Sequence, residues 1–273
     1  MANQKNSLPK FKAPPVIETV LDVHFALLEQ FSIPHFGLYW DKIRDKYPVI
    51  SVHPPLSIVT DQSVLEKKSL GQPKVKFISG DHVRCWFIDK EQNHLIQVQK
   101  DRFIFNWRKV TGTELYPSFD KFKPKFKTEW TKFCSFLDSE GIPTPQVKQC
   151  EVTYVNHFEI GRETNSFGEI AKVMNLWKSQ KSDSFLPNPD IVRFNTSFSF
   201  PDKKGKLHIS LEPTLRGRDA KEIIQLRLIA RGQPQSSNLE DILAWFEIGH
   251  EWIVKGFTDL TTSEMHKLWG RIQ

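Results

Sequence analysis

The residues best suited to binding chemistry in this chain are arginines and asparagines on segments with strand-forming sequences. Arginine forks recognise phosphate and carboxylate groups through two parallel hydrogen bonds. On the free face of a helix-backed sheet they would form a cationic surface, to which Trp86 or Trp107 could add aromatic stacking. The alternative is an ordinary solvent-facing surface, on which Glu212, Glu222 and Asp89 neutralise part of the charge. The candidate anion- or nucleic-acid-binding residues are Arg84, Arg102, Asn106, Arg108, Arg193, Asn195, Arg216, Arg218, Arg227 and Arg231.

The composition allows an anionic partner and argues against a membrane partner. The 273 residues include 38 lysines and arginines against 32 aspartates and glutamates, which gives a formal net charge of +6. This excess is mild and also fits a basic protein without such a partner. No window approaches the roughly 18–20 apolar residues of a membrane-spanning helix, and the polar segment 1–12 does not have the pattern of a secretory signal. We therefore expect a cytoplasmic protein with no membrane partner.

Cysteine spacing and motif content narrow the class of protein further. Cys85, Cys134 and Cys150 are too widely spaced for a disulfide framework or a C-x-x-C metal site, which favours reduced thiols. The sequence has no G-x-S-x-G, H-E-x-x-H, Walker or dinucleotide-binding motif. We therefore expect no catalytic residues, no cofactor and no metal, and a function other than catalysis.

Histidines are the remaining candidates for proton transfer or metal binding. A break in the helical pattern separates His250 from His266, so their spacing does not indicate a shared metal. His24 and His157 occupy matching positions in two similar segments of the chain. For each we predict local hydrogen bonds, with a proton-transfer pair across a symmetry axis as the alternative. Cys150 lies on a strand predicted to be buried, where its thiol would be inert.

Two similar segments suggest a chain built of two similar halves. Glu18–Phe25 reads E-T-V-L-D-V-H-F, and Glu151–Phe158 reads E-V-T-Y-V-N-H-F. Each begins the same order of a strand, a helix, several antiparallel strands and a long helix. In the first half we predict strands Pro14–Phe25, Val49–Val59, Lys74–Ile78, Val83–Ile88, His94–Gln99 and Arg102–Arg108, and helices His35–Lys46 and Ser118–Glu140. In the second half we predict strands Val147–Ile160, Ile191–Phe200, Lys206–Leu215 and Glu222–Ala230, and helices Phe167–Ser179 and Leu239–Phe257, with a last helical segment ending at Trp269.

This order of elements predicts an α+β fold in which helices cover one face of a curved antiparallel sheet. In element order it resembles the TATA-box-binding-protein-like and helix-grip arrangements. Two such halves can join their sheets side by side about a pseudo-two-fold axis, and a ferredoxin-like layout with fewer strands per half is the competing arrangement. The predicted division is a disordered lead-in over 1–13, a first half over 14–143 and a second half over 144–273.

Three sequence segments also resemble a known family. They are the N-terminal A-P-P-V-I-E, the central D-R-F-I-F-N-W-R and the C-terminal F-T-D-L-T-T-S-E-M-H-K-L-W-G-R. They are similar to segments of a sporadically distributed prokaryotic family of about this length, whose members have no established function. The resemblance therefore implies no activity, cofactor or site residue. The patchy distribution of that family suggests mobile cargo such as defence or toxin–antitoxin loci.

Three functions from different classes remain open at this point. The first expectation is a non-enzymatic binding module that engages an anionic partner, nucleic acid above all, through a basic sheet face. The second is a protein-interaction role, as an antitoxin, a chaperone or a subunit of a complex, with a partner from the same operon. The third is a small-molecule sensor or enzyme with a pocket between the sheet and a long helix, as helix-grip folds allow.

Overall fold

A nine-stranded antiparallel sheet organises the fold. The computed structural model describes residues 7–57, 83–178, 184–201 and 204–272. Numbered along the chain, its strands are β1 (Val16–Phe25), β2 (Val49–His53), β3 (Arg84–Ile88), β4 (His94–Gln99), β5 (Arg102–Arg108), β6 (Val147–Glu159), β7 (Phe194–Ser199), β8 (Gly205–Leu215) and β9 (Glu222–Gly232). Their order across the sheet is β2-β3-β4-β5-β1-β6-β9-β8-β7. The sheet and its helices confirm the predicted α+β class.

Most of the predicted strands are present, and two have the predicted bounds. These two are His94–Gln99 and Arg102–Arg108, in which polar and apolar residues follow the strand period most clearly. The predicted strand Val49–Val59 ends early, at His53, because the two prolines that follow have no N–H to donate to a neighbouring strand. The predicted strand Lys74–Ile78 lies outside the described residues.

Four α-helices occur in the described ranges, and none of them is long and apolar enough to cross a membrane. Asn238 caps the third helix by accepting a hydrogen bond from the Asp241 backbone, and Thr262 caps the fourth in the same way. The sequence predicts Asn238 or Ser237 as the first of these caps and Thr261 or Thr262 as the second, and the structure has Asn238 and Thr262. The helices are α1 (Ile33–Ile43), α2 (Phe119–Ser139), α3 (Leu239–Leu260) and α4 (Ser263–Leu268).

The helix predicted over Phe167–Ser179 is wrong. Within its described part, a single 3-10 turn forms at Ile170–Lys172. The chain beyond that turn pairs with the end of α3: the Asn175 backbone donates to the Leu260 carbonyl at 2.7 Å. A tertiary hydrogen bond therefore replaces the i to i−4 bond that a continuing helix would need.

The helices pack on one face of the sheet through a core of aromatic rings. Phe105 of β5 stacks on Phe122 of α2 at 4.9 Å, and Phe103 lies 5.1 Å from Phe133. On the same face, Phe87 of β3 contacts Tyr39 of α1, and Phe126 of α2 contacts Phe246 of α3. Phe158 of β6 contacts Trp269, the residue after α4. These rings fill the space between the sheet and α2, where the third functional expectation requires a pocket.

The two ends of the described chain pack against each other. The backbone N–H of Lys12 donates to the Gly270 carbonyl at 3.0 Å, and the Phe11 ring lies 6.2 Å from that of Trp269. The expectation of disorder over 1–13 is therefore corrected for residues 10–13, because the backbone there is hydrogen-bonded to the C-terminal segment and the partly buried ring of Phe11 packs against it. Residues 1–6 lie outside the described ranges.

A short chain of polar side chains crosses the core between the sheet and the helices. The hydroxyl oxygens of Tyr116 and Tyr154 are 2.6 Å apart, and the Tyr154 hydroxyl lies 3.1 Å from Nδ1 of His250. The His250 ring also stacks on Phe119, with centroids 4.0 Å apart. Burial and the charge of Lys123 lower the pKa of His250 to about 3, so this histidine is a neutral structural group.

His250 is expected to make the folded protein less stable in acid. Its pKa is depressed in the fold, so it contributes stability above the unfolded pKa of about 6.5 and loses it as the pH falls towards 3. Between pH 7 and pH 4 the free energy of unfolding should fall in the parent protein and in a His250→Gln variant. The fall should be on the order of 2 kcal/mol smaller in the variant. Urea denaturation of both proteins across this pH range measures the difference, and equal pH dependence would contradict the assignment.

Candidate functional site

The face of the sheet away from the described helices collects polar side chains and is called the helix-free face below. Directly opposed residues of neighbouring antiparallel strands point to the same side of a sheet. The strand register therefore brings residues from all nine strands into one row on this face. The row is Ser51, Trp86, Gln97, Ile104, Asp22, Glu151, Arg231, Lys206 and Ser199.

A buried group of five charged or titratable residues lies at the centre of this face, and we call it the central ion cluster. His24 Nε2 lies 3.0 Å from Oε1 of Glu151 and 3.2 Å from Oδ2 of Asp22. Arg102 Nη2 lies 2.8 Å from the other ring nitrogen of His24, and Arg231 binds both carboxylate oxygens of Glu151 at 3.0 and 3.2 Å. All five side chains are 1–8% exposed. Four strands (β1, β5, β6 and β9) contribute to the cluster.

The charges of the cluster compensate each other. Two carboxylates face two guanidinium groups, so the sum is zero when His24 is neutral. Burial alone would raise the pKa of Glu151, but His24 and Arg231 lower it to about 2. Such a buried ionised group is costly to form and costly to break, because each charge depends on its partner for compensation.

The protonation state of His24 is coupled to the position of Arg102. Burial lowers the pKa of His24, but the carboxylates of Asp22 and Glu151 outweigh it and raise the pKa to about 9. A guanidinium can only donate, so Nδ1 of His24 must be an acceptor when Arg102 lies 2.8 Å away. The observed contact therefore belongs to the neutral ring with its proton on Nε2, whereas the raised pKa favours the protonated ring at neutral pH. Protonation of His24 requires Arg102 to move away from Nδ1.

Asp22, His24 and Glu151 are also the residues of this face that could hold a metal ion. One ligand atom from each lies within 4.8 Å of the others, and an imidazole with two carboxylates is a common ligand set for divalent metals. A metal on Nε2 requires a proton on Nδ1 that is donated to an acceptor. Arg102 occupies that position as a donor, so the arrangement suits a shared proton better than a metal.

A second group on this face, the arginine–tryptophan cluster, consists of Arg84, Trp86 and Arg108. The guanidinium carbons of Arg84 and Arg108 lie 5.4 and 5.8 Å from the Trp86 ring centroid, within the range of cation–π attraction. The His53 ring stacks on the same indole at 4.0 Å. The other tryptophan considered from the sequence, Trp107, is buried on the opposite side of the sheet against Tyr116.

Besides Arg102 and Arg231, two more of the predicted binding residues serve internal contacts. Asn106 is buried and donates to Glu18 at 2.7 Å, and Arg216 is buried and donates to Asp219 and Glu159. These residues hold the strands and the turn after β8 together. Exposed predicted residues are Arg193, Asn195, Arg218 and Arg227.

Of the exposed residues, Arg227 and Asn195 share a row with the arginine–tryptophan cluster. This row is Asn195, Ser210, Arg227, Val155, Glu18 and Arg108. At about 4.8 Å per strand, Arg227 and Arg108 are roughly 14 Å apart along it. Arg218 follows the end of β8 and lies 3.6 Å from Asp219, whereas Arg193 precedes β7 at the sheet edge.

The proton-transfer pair of His24 and His157 is wrong. His24 lies opposite Gln149 on β6, whereas the backbone N–H of His157 donates to the Pro15 carbonyl. The two histidines therefore lie near opposite ends of the central strand pair, roughly 25 Å apart at about 3.3 Å per strand residue. Each makes local polar contacts, as the first interpretation predicted: Nε2 of His157 lies 3.4 Å from Oε1 of Gln225.

Sequence reasoning missed the central ion cluster. Asp22 and His24 are two positions apart and so share a strand face, but an aspartate two residues before a histidine is a common pattern. Their partners come from three other strands, and the sequence does not specify which residues oppose them. Cys150, beside this cluster in sequence, is fully buried on the helix side; burial raises the pKa of its thiol, so it stays protonated as predicted.

No protein-family model matches this chain, and no curated protein matches it either. The resemblance to a sporadically distributed prokaryotic family therefore stays an expectation from the three sequence segments.

Proposed function

We propose that the protein is a non-enzymatic binding module that holds an anionic partner, nucleic acid above all, on the helix-free face. The observation that carries the proposal is the arginine–tryptophan cluster, in which two guanidinium groups flank one indole. Proteins that bind single-stranded nucleic acid combine cations for the phosphates with aromatic rings for the bases. A role in a prokaryotic defence or toxin–antitoxin locus would follow from the family resemblance alone.

The charge along this face supports an extended anionic ligand. Arg227 is exposed in the same row as Arg108, so a strand crossing the sheet would meet cations at both positions. Glu18 lies between them, and burial raises the pKa of its carboxyl, which weakens it as a competing negative charge. The exposed Glu212 on β8 is a remaining acid of this face.

Removing two of these cations is expected to weaken nucleic-acid binding. An Arg108→Gln/Arg227→Gln variant should bind fluorescein-labelled single-stranded DNA or RNA about tenfold more weakly, with a salt dependence reduced by about 2 in the slope of log K against log salt. Fluorescence polarisation titrations at several salt concentrations measure both quantities. Double-stranded DNA and RNA in parallel titrations establish which form the face prefers.

A matched control removes the same charge from the helix side of the protein. Lys121 and Lys127 are exposed on α2, so a Lys121→Gln/Lys127→Gln variant loses two positive charges away from the helix-free face. It should bind like the parent protein. Equal losses in the two variants would indicate non-specific attraction to the basic protein, and binding that is absent at low salt would refute the proposal.

A protein-interaction role is the second candidate, favoured by one edge of the sheet. Among the described residues, β7 pairs with β8 on one side and with no strand on the other, so its outer edge can accept a further strand. Phe198 on this strand is 42% exposed, and in the segment that precedes the strand in sequence Phe185 is 99% and Leu186 63% exposed. Co-purification of a product of a neighbouring gene, lost in a Phe198→Asp variant, would favour this function over nucleic-acid binding.

We further propose that the two halves arose by duplication of one TATA-box-binding-protein-like unit about a pseudo-two-fold axis. β1 and β6 are neighbours at the centre of the sheet, and each is paired on its outer side with the last strand of its half. In matching positions, Glu18 lies opposite Arg108 and Glu151 lies opposite Arg231. The halves differ after their first strands, where one has α1 and the other the 3-10 turn.

A superposition of the two halves tests the duplication directly. The segments 16–25 and 102–108 are to be superposed together on 149–158 and 225–231. The proposal predicts that this fit is better than one with the second pair shifted by two residues, since such a shift preserves strand faces but not the duplication. A better fit in the shifted register would refute it.

A further inference from the structure

Two unpartnered polar atoms occur side by side on the helix-free face, at the arginine–tryptophan cluster. They are Nε1 of Trp86, which can only donate a hydrogen bond, and Oε1 of Gln97, which can only accept one. Both atoms are buried, and neither has a hydrogen-bond partner in the described parts of the chain. Buried polar atoms in proteins nearly always have a partner, so an unpaired donor and an unpaired acceptor on one face point to a ligand group that supplies both.

The strand register places this donor and this acceptor next to each other. Trp86 of β3 and Gln97 of β4 are directly opposed, and we call them the Trp86–Gln97 pair. Opposed residues of antiparallel strands have Cβ atoms about 4.5–5.5 Å apart on the same face. A hydroxyl group both accepts and donates a hydrogen bond, so a single hydroxyl can accept from Trp86 and donate to Gln97.

The orientation of the Gln97 amide is fixed by its neighbours. Its nitrogen donates to Oδ1 of Asn106 at 2.9 Å, and the nitrogen of Asn106 donates to Glu18 at 2.7 Å. Gln97 is 6% and Asn106 3% exposed, so these hydrogen bonds are shielded from water. The amide oxygen of Gln97, and not its nitrogen, is therefore the group that a ligand meets.

Arg84 lies beside the Trp86–Gln97 pair, and no carboxylate of the described residues forms an ion pair with it. Its guanidinium carbon lies 5.4 Å from the Trp86 ring centroid, and its Nε is a further buried donor without a partner. Burial and the charge of Arg102 lower the pKa of Arg84, and the charge of Asp22 opposes them only in part. A phosphodiester group carries one negative charge and adjoins the ribose, so Arg84 and the pair match neighbouring groups of one nucleotide.

We infer that the Trp86–Gln97 pair binds the ribose 2′-hydroxyl, so that the helix-free face prefers single-stranded RNA to single-stranded DNA. The 2′-hydroxyl is the group by which proteins distinguish the two. Because neither atom of the pair gives up a hydrogen bond to water, both new hydrogen bonds add to the affinity for RNA, and DNA gains neither. The hydroxyl reaches the pair when the guanidinium groups of Arg84 and Arg108 turn from the indole to the phosphates. This inference rests on the proposed function and names the class of nucleic acid.

Oligomers that differ only in the sugar test the inference on the parent protein. Fluorescein-labelled single-stranded oligouridylate should bind about tenfold more tightly than oligodeoxyuridylate of the same length in polarisation titrations at one salt concentration. A 2′-O-methyl oligomer keeps an RNA-like sugar but cannot donate to Gln97, so it should bind about as weakly as the DNA. Equal affinity for RNA and DNA would overturn the inference, and so would a 2′-O-methyl oligomer that binds as tightly as RNA.

A conservative substitution of the indole tests the role of the pair itself. Trp86→Phe keeps an aromatic ring and removes the N–H, so the preference for RNA should fall from about tenfold to about threefold. The ratio of the two affinities is the readout, because weaker stacking affects RNA and DNA alike. Trp252→Phe makes the same change on α3, where the ring stacks on Phe200, and should keep the parent's preference.

The outcomes separate this inference from the proposed function. An undiminished preference in Trp86→Phe, or an equal reduction in Trp252→Phe, would overturn the role of the pair. Equal binding of RNA and DNA by the parent protein refutes the inference alone and leaves a nucleic-acid-binding face. Binding of neither at low salt refutes the proposed function and the inference together.

Discussion

Replacing Glu151 with glutamine is expected to lower the free energy of unfolding by about 3–5 kcal/mol, which is the usual cost of breaking a buried ion pair. The carboxylate binds Arg231 at 3.0 and 3.2 Å and faces His24 at 3.0 Å, and it is 8% exposed. A neutral amide leaves Arg231 as a buried cation and places an N–H₂ group against a donor. Urea or guanidinium denaturation at pH 7 measures the change.

The matching position in β1 supplies the control for this experiment. Glu18 also lies on the helix-free face, but burial raises the pKa of its carboxyl, and its close partner is the neutral amide of Asn106. A Glu18→Gln variant keeps an oxygen that can accept this hydrogen bond, so its stability should change by no more than about 1 kcal/mol. Equal losses of stability in the two variants would mean that breaking the central ion cluster costs no more than removing another carboxylate of this face.

Truncating Phe133 is expected to be as damaging as breaking the ion cluster. Its ring is fully buried on α2, with centroids 5.1 Å from Phe103 and 5.4 Å from Tyr39. A Phe133→Ala variant should have a free energy of unfolding about 3–5 kcal/mol lower than the parent protein. Less apolar surface is buried on folding, and a cavity is left among rigid rings. Thermal and chemical denaturation of the variant against the parent protein measure the loss.

Two comparisons separate this packing effect from a general sensitivity to substitution. Phe133→Leu keeps much of the side-chain volume, so it should lower the free energy of unfolding by only about 1–2 kcal/mol. Phe185 is 99% exposed, so Phe185→Ala should change the free energy of unfolding by less than about 0.5 kcal/mol. A loss at Phe185 comparable to that at Phe133 would mean that the exposed phenylalanine is buried in an assembly.

The elements of the fold that were predicted correctly are those whose local pattern agrees with their environment. In β5, aromatic residues face the helices and polar residues face away, so the alternation gave both the bounds and the two sides of the strand. The caps at Asn238 and Thr262 also depend only on residues close in sequence, because each side chain accepts a hydrogen bond from a backbone N–H of its own helix. The segment 167–178 also has an amphipathic pattern, but pairing with the end of α3 overrides it.

The candidate site was only partly predictable. Arg84, Arg108 and Trp86 could be assigned to the free face from alternation within their own strands. Arg102 and Arg231 fall on this face as well, but they are buried in ion pairs that depend on which residues lie opposite them. Polar alternation predicts the side of a sheet and does not distinguish an exposed arginine from a buried and paired one.

The α+β class, most of the strands and the side of the sheet to which the strand arginines point follow from the sequence alone. These properties depend on contacts between residues close in sequence, which set the helix and strand periods. Two further features appear only in the folded structure: β1 and β6 lie side by side, and Asp22 and His24 meet Glu151. These contacts depend on strand order and register, which are set by the packing of the whole core and by pairings between distant segments.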